Sequence, residues 1–331
     1  MPEHGGNLAR AAADFGIAED QWLDLSTGIS PSTYPVPDIP ALAWQRLPAE
    51  EAAFKRAAQE YYGTESILGV AGSQAAIQAL PRLRPCSRVT LLSLTYNEYA
   101  HAWEREGHRI RKAMADELDG LIGETDVLIV CNPNNPTGQV IQPQTLLAWR
   151  ELLAVRGGWL IVDEAYVDVT PELSLSSRTP LPGLIVLRSL GKFFGLAGAR
   201  VGFVLAEDAL LSAIREELGP WTVSGPSQVA ARCALEDRRW QVQARADLRA
   251  ASERLGALLA LHGMQTNGPA LFRWWQDERA LAVHRALAGE GILTRLFRHA
   301  EPCGIRLGLP GAAAQWQRLE HALQTSIQPG S

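Results

Sequence analysis

The chain has 331 residues, 47% of them hydrophobic, with 31 basic and 36 acidic side chains for a formal charge of −5. That length and apolar content suit a large core and fit one big domain plus a smaller one. The interspersed charges provide neither a basic stripe for nucleic acid nor a polybasic membrane anchor. The opening MPEHGGNLARAAADFG lacks the apolar run of a signal peptide, and no stretch approaches the ~18 apolar residues of a membrane span. The expectation is a cytoplasmic protein with small-molecule partners, no nucleic acid and no membrane. Cys86, Cys131, Cys233 and Cys303 lack C-x-x-C or zinc-like spacing and read as reduced, packed thiols, so no metal site is expected.

In chain order, the Pro-rich PSTYPVPDIP (31–40) is excluded from central strands and helix interiors and reads as an extended surface connection. In LGVAGSQAAIQAL (68–80), small residues precede an apolar helical pattern, leaving the backbone N–H groups of Ser73 and Gln74 at a helix start where a phosphate could sit; a plain Ser N-cap explains the stretch equally well. Five short aliphatic runs follow: RVTLLSL (88–94), DVLIVC (126–131), WLIVDE (159–164), LIVLRS (184–189) and VGFVLA (201–206). Runs this apolar are buried on both faces. With amphipathic stretches such as QTLLAWRELLAVR between them, they predict a largely parallel sheet covered by helices, an α/β architecture. From about residue 237 a long Arg/Ala/Leu helix leads into ALFRWW, a helix near 279–289, GILTRLF, GIRLGL and a final amphipathic helix, the pattern of a smaller α+β unit.

Chemistry-bearing residues stand where the runs end. In CNPNNPTG (131–138), two Asn-Pro steps and a Gly follow a strand, so Asn135 is held in a turn at the carboxyl end of the sheet, where open α/β sheets bind ligands; a simple turn is the alternative. In IVDEAYVD (161–168), Asp163 ends a buried strand and Tyr166 follows it. A buried carboxylate is costly unless a cation pairs with it, or unless it caps the next helix. RSLGKFFGLAGARVGF (188–203) holds Lys192, one of three lysines in the chain, among glycines and followed by Arg200.

Taken together, the phosphate-type helix start, N-N-P-T-G, D-E-A-Y, S-L-G-K and G-L-A-G-A-R resemble the fold-type I pyridoxal phosphate enzymes, in the aminotransferase branch that contains histidinol-phosphate aminotransferase. The resemblance covers nearly the whole chain. It implies a large cofactor-binding α/β domain over 47–236 and a small α+β domain formed by both termini, 1–46 and 237–331. It implies that Lys192 forms the Schiff base with pyridoxal 5'-phosphate, which an always-protonated arginine could not do; Lys55 and Lys112 read as solvated charges. It further implies that Asp163 pairs with the pyridine nitrogen, that Asn135 and Tyr166 bond the ring's phenolic oxygen, and that Ser73, Gln74, Ser189 and Arg200 hold the phosphate. Tyr96 stands where the family stacks an aromatic ring on the cofactor, and Tyr99 is expected on the substrate side.

Within this branch, HGGN (4–7) followed by WLDLSTGISP (22–31) is similar to the opening of the threonine-phosphate decarboxylases of cobalamin synthesis. That similarity implies decarboxylation of a phosphorylated amino acid by a homodimer. His4, Gly6, Asn7, Gly28, Tyr99, Asn135, Arg295 and Arg306 are then the substrate contacts, with Arg306 on the carboxylate and Arg295 on the phosphate. Transamination of histidinol phosphate or a related amino acid is the alternative, and a catalytically inactive cofactor-binding regulator is a third reading. The chain departs from its relatives at several places. Leu47 replaces the tyrosine of R-Y-P-D that reaches into the partner's site, Gly28 and Ser30 replace asparagines, Gly191 replaces serine, and Leu94 replaces proline.

Overall fold

The structure, a computed structural model, describes residues 4–326. The chain divides into two compact units: a small one comprising the residues up to Ser32, Pro136–Gly138 and the residues from Val242, and a large one comprising Thr33–Asn135 and Gln139–Gln241. The sequence reading puts residues 33–46 with the small domain. Local packing ties them to the large unit. The Tyr34 amide donates to Phe194 O at 2.9 Å and its hydroxyl to Cys233 O at 3.1 Å, while its ring meets Trp240 edge-on at 5.2 Å. The short helix Ala41–Gln45 packs on the helix Gly225–Glu236.

Strand β1 (Leu23–Asp24) belongs to the small unit. The large unit carries β2 (Ile67–Val70), β3 (Arg88–Leu92), β4 (Arg109–Ala113), β5 (Val127–Cys131), β6 (Trp159–Asp163), β7 (Leu184–Ser189) and β8 (Gly202–Leu205) in one sheet of order β2-β8-β7-β6-β5-β3-β4. The five aliphatic runs are β3, β5, β6, β7 and β8. Pairings from β4 through β7 are parallel, and β8 alone runs against its neighbours. The central strands are buried residue after residue, as a sheet covered on both faces requires. Edge strand β4 instead exposes Arg109, Arg111 and Lys112, charges that blunt an open edge. Fully buried Trp103 and Tyr99, from the helix Glu98–Arg105, pack in the same core as Val89, Ile129 and Ile161 of the sheet.

The small unit pairs β1 in parallel with β10 (Ile292–Leu293). It also holds a three-stranded antiparallel sheet in which β12 (Gly304–Gly308) lies between β9 (Phe272–Gln276) and β11 (Arg295–Phe297). The helix near 279–289 is Ala280–Gly289, and the final helix is Ala313–Ser326. Among the described residues, no helix is long and apolar enough to cross a membrane, and no cluster of three metal-ligating side chains occurs.

Candidate active site

In the large unit the predicted cofactor residues gather at the carboxyl ends of β3, β5, β6 and β7, the end where an open parallel sheet leaves its crevice. Strand register explains part of this convergence. Gly202 pairs with Ser189 on one side and Val70 on the other, so the turns 71–74, 189–192 and 200–202 leave the sheet side by side. Glycine is required at two of these positions. A Cβ on Gly202 would press into the Ser73 nitrogen and lie 2.8 Å from Gly72 C and Arg188 O. One on Gly72, whose φ is +75°, would lie 2.6 Å from Arg200 Nη2. The Arg200 guanidinium therefore lies over Gly72, immediately before the start of the helix Ser73–Ala79, and Arg200 itself holds a left-handed backbone, φ 52° and ψ 53°. Ser189 Oγ accepts from Gly191 N at 3.2 Å. This cradle offers backbone N–H groups, a hydroxyl and a guanidinium to an anion.

Asp163, at the end of β6, is 4% exposed. The Tyr99 hydroxyl and the Ala165 amide, the latter at 2.8 Å, both donate to its carboxylate. Burial pushes its carboxyl up from the ordinary range, while these two donors and the charges of Lys192 and Arg188 pull the other way. Tyr99, expected on the substrate side, is thus fully buried behind Asp163 and orients that carboxylate instead. Its helix explains the correction: Tyr99 is an inward position of Glu98–Arg105, whereas Tyr96 precedes that helix and stays half-buried. Tyr96 meets the Tyr99 ring edge-on at 5.7 Å and donates to Gln74 Oε1 at 3.1 Å. Gln74 Nε2 in turn donates to buried Glu98 at 2.8 Å, so the Gln74 side chain serves its neighbours and its backbone faces the cradle's helix start.

Lys192 Nζ lies 5.5 Å from the centroid of the buried Tyr166 ring. Asn135 follows Asn134, whose Nδ2 donates to Leu94 O and whose Oδ1 accepts from Thr95 Oγ1, both at 2.9 Å. Asn132 closes the same turn through a reciprocal pair with Ile141 at 2.9 Å. Two asparagines staple the turn, and Asn135 remains partly exposed at its tip.

In the small unit, His4, Gly6, Asn7 and Arg295 line one cavity of about 790 Å³, with Arg10, Arg298 and His284. The Gly6 amide donates to Ser26 Oγ at 2.7 Å, and Arg295 Nη1 donates to His4 O at 3.2 Å, fixing the amino-terminal segment in the cavity wall. Asn7 is also the N-cap of the helix Leu8–Phe15, its Oδ1 accepting from Arg10 N at 3.1 Å. Gly28 and Arg306 lie outside the cavity lining. Arg306 is buried because its Nη2 donates to Ser26 O at 2.7 Å and its guanidinium lies over the Phe272 ring at 5.2 Å. It is nevertheless the cross-strand partner of Arg295. Sequence reasoning missed His284, whose Nδ1 lies 2.7 Å from Thr294 Oγ1; nothing in its helix AVHRAL marks it. Burial pushes the His284 imidazole down to about 4, and the guanidinium groups of Arg298, Arg285 and Arg295 add to the effect. The cavity lining carries Arg10, Arg295 and Arg298 against one carboxylate, Asp14, which pairs with Arg10 at 3.7 Å.

A family model for class I and II aminotransferases matches residues 46–316. The chain is 53% identical over 330 residues to a threonine-phosphate decarboxylase of Pseudomonas aeruginosa, covering 99% of each, and 40% identical to one from a Sinorhizobium species, covering 97% of each. It superposes with a TM-score of 0.79 and 22% identity on the histidinol-phosphate aminotransferase of Sinorhizobium meliloti in complex with pyridoxal-5'-phosphate, covering 98% of this chain and 94% of that one. By the family model over most of its length and by its near-full-length relatives, the chain belongs to the class I and II aminotransferase family, in the branch that contains the threonine-phosphate decarboxylases.

Proposed function

We propose that the protein is a pyridoxal phosphate-dependent decarboxylase that converts L-threonine O-3-phosphate to (R)-1-amino-2-propanol O-2-phosphate and carbon dioxide. We place it as a cytoplasmic homodimer in cobalamin synthesis. The observation that carries the substrate class is the arginine-rich cavity lined by His4, Gly6, Asn7, Arg295 and Arg298, a setting suited to a phosphate dianion. Two relatives of near-full length carrying the decarboxylase name support the reaction.

The residues present fit the cofactor. A buried carboxylate raised by burial suits a cationic ring nitrogen, and the Gly72–Ser73–Arg200 cradle suits a phosphate. Ser73, Gln74, Ser189 and Arg200 would hold that phosphate. Asp163 would keep the ring nitrogen protonated, Asn135 and Tyr166 would hold the ring hydroxyl, and Tyr96 would cover the ring. Bound pyridoxal phosphate would supply an aldehyde for the amino group and an electron sink for the bond broken at Cα. Orientation then selects the reaction. Which bond at Cα is broken would depend on how the chain's own anion contacts hold the substrate carboxylate. In this reading Arg306 meets the carboxylate, while Arg295 and the His4–Asn7 segment bind the phosphate and set the rotation about Cα. Lys192 would hold the cofactor between turnovers and would supply the proton that Cα takes up when carbon dioxide leaves.

Purified protein supplied with cofactor and threonine phosphate, and no keto acid, is expected to release carbon dioxide and aminopropanol phosphate, with little activity on unphosphorylated threonine. Arg295→Ala is expected to weaken kcat/KM for the phosphorylated substrate by on the order of 10–100-fold, the worth of a charged hydrogen-bonded contact. Glutamate formation from 2-oxoglutarate with histidinol phosphate, without gas release from threonine phosphate, would establish the aminotransferase instead; binding without turnover of either would establish the regulator. The cradle has its own test. Gly202→Ala drives a methyl group into the backbone of Gly72 and Ser73, so cofactor affinity measured by equilibrium dialysis is expected to fall at least ~10-fold through lost positioning. An unchanged affinity would move the phosphate elsewhere.

The homodimer finds support in the large unit's exposed apolar side chains Leu42, Trp44, Leu47 and Trp221. Leu47, standing where the branch has a tyrosine, is 69% exposed and can bring a partner packing but no hydroxyl.

A further inference from the structure

Adjacent to Asp163 and Tyr166 lies a buried ionic cluster. Glu164, Asp168 and Arg188 are 0%, 1% and 3% exposed. One arm of the Arg188 guanidinium, Nη1, donates to Glu164 Oε2 at 2.6 Å and to Ser174 Oγ at 3.1 Å; the other, Nη2, donates to Asp168. Leu175 N and Ser174 Oγ also donate to Glu164, at 2.6 and 2.5 Å, and the Tyr61 hydroxyl donates to Asp168 at 2.8 Å. The guanidinium lies 4.7 Å from the centroid of the Tyr62 ring. Burial opposes the Arg188 charge, but the carboxylates of Asp168 and Glu164 outweigh it and keep it protonated.

Such a cluster is a poor device for stability alone, because burying its charges costs more than an apolar replacement of the same shape. Its place in the chain indicates another use. Glu164 follows Asp163, Asp168 lies just past Tyr166, and Arg188 precedes Ser189 and the Lys192 turn. The β6–β7 register ends at Asp163 and Leu187, with Glu164 N donating to Leu187 O at 2.9 Å. Past that bond, the tie between the two segments continues through the Arg188 side chain.

We propose that Arg188 is a positioning residue for the cofactor site: its two arms clamp Glu164 and Asp168, and so hold Asp163 and Tyr166 in register with Lys192. The inference rests on the cofactor reading above. It also accounts for the Arg188 charge acting on Asp163, where it favours the ionised carboxylate that a protonated ring nitrogen needs.

The test uses the holoprotein and two variants, Arg188→Lys and Glu164→Gln. A lysine keeps the charge but loses the planar fork, so it can hold one carboxylate and not both. Arg188→Lys is expected to bind cofactor about tenfold more weakly and to lose on the order of 10²-fold in kcat with a smaller change in KM, as misplacement of about 1 Å would cause. The pH midpoint of the visible band of lysine-bound cofactor should also move up, because a displaced Asp163 supports the ring proton less well. Glu164→Gln, nearly isosteric, should shift the same readings in the same direction by less. It decides the matter if Arg188→Lys does not fold. Variants with a lowered melting temperature but wild-type kcat, cofactor affinity and band midpoint would show a cluster that only supports the fold, and would overturn the clamp. A wild-type protein lacking the band altogether would overturn the cofactor reading and the clamp with it.

Discussion

Lys192→Ala is expected to abolish turnover, with a loss on the order of 10⁴-fold or more, because in the proposed mechanism one amine would serve as both covalent attachment and proton donor. The side chain is half-buried, in the turn that follows β7, and its removal deletes no strand pairing. Folding should therefore survive, and the cradle around Gly72 and Arg200 can still take up the cofactor phosphate. The signature is a protein that retains cofactor on gel filtration but loses the visible band of lysine-bound cofactor and releases no carbon dioxide from threonine phosphate. Lys192→Arg should fail equally, since a guanidinium keeps its proton. An alanine variant with both band and turnover would remove Lys192 from the chemistry.

Asp163→Ala is expected to cost roughly 10²–10³-fold or more in kcat, the scale of removing a preorganised charge from a site where charge develops in a dry interior. Asp163→Glu should lose less, because it keeps a carboxylate. Asp163→Asn separates charge from shape: it can still accept the Tyr99 hydrogen bond but cannot hold a proton on the ring nitrogen. The same variant gives a pH test. Burial raises the Asp163 pKa, so its charge, and the pairing that depends on it, is lost as pH falls through a value above the ordinary carboxylate range. Cofactor affinity is expected to weaken on acidification in the wild type and to lack that component in Asp163→Asn. Near-wild-type turnover by Asp163→Ala would make the carboxylate structural.

The five aliphatic runs could be read as strands because burial on both faces leaves no polar position to confuse the period. Edge strand β4 could not, because R-I-R-K-A carries the charges that protect a sheet edge. The reversal of β8 was equally hidden, since an apolar run has no direction. Lys192, Asp163 and Arg200, proposed above for the cofactor, were visible as charged residues at run ends, whereas the positions of Tyr96 and Tyr99 were separated only by where a helix begins. Arg188 and Glu164 did leave a signal. Each is a charge inside or directly after a run that is otherwise buried, LIVLRS and WLIVDE, and a charge in that position requires a partner. The partner's identity lay across the fold, beyond the reach of spacing.

The arginines of β11 and β12, proposed above as anion contacts, would connect ligand binding to folding. Arg295 and Arg306 pair across the β11–β12 register, Arg295 held by His4 O and the Phe297 ring and Arg306 by Ser26 O and the Phe272 ring. An anion that binds the folded small unit and not the unfolded chain deepens the folded state by mass action, about 2.7 kcal/mol at a hundredfold excess over its dissociation constant. Inorganic phosphate should accordingly raise the melting temperature where chloride of equal ionic strength does not. The protein would then be most robust when its substrate is abundant and most easily unfolded when the substrate is scarce, so the metabolite it consumes would also govern how long the enzyme survives.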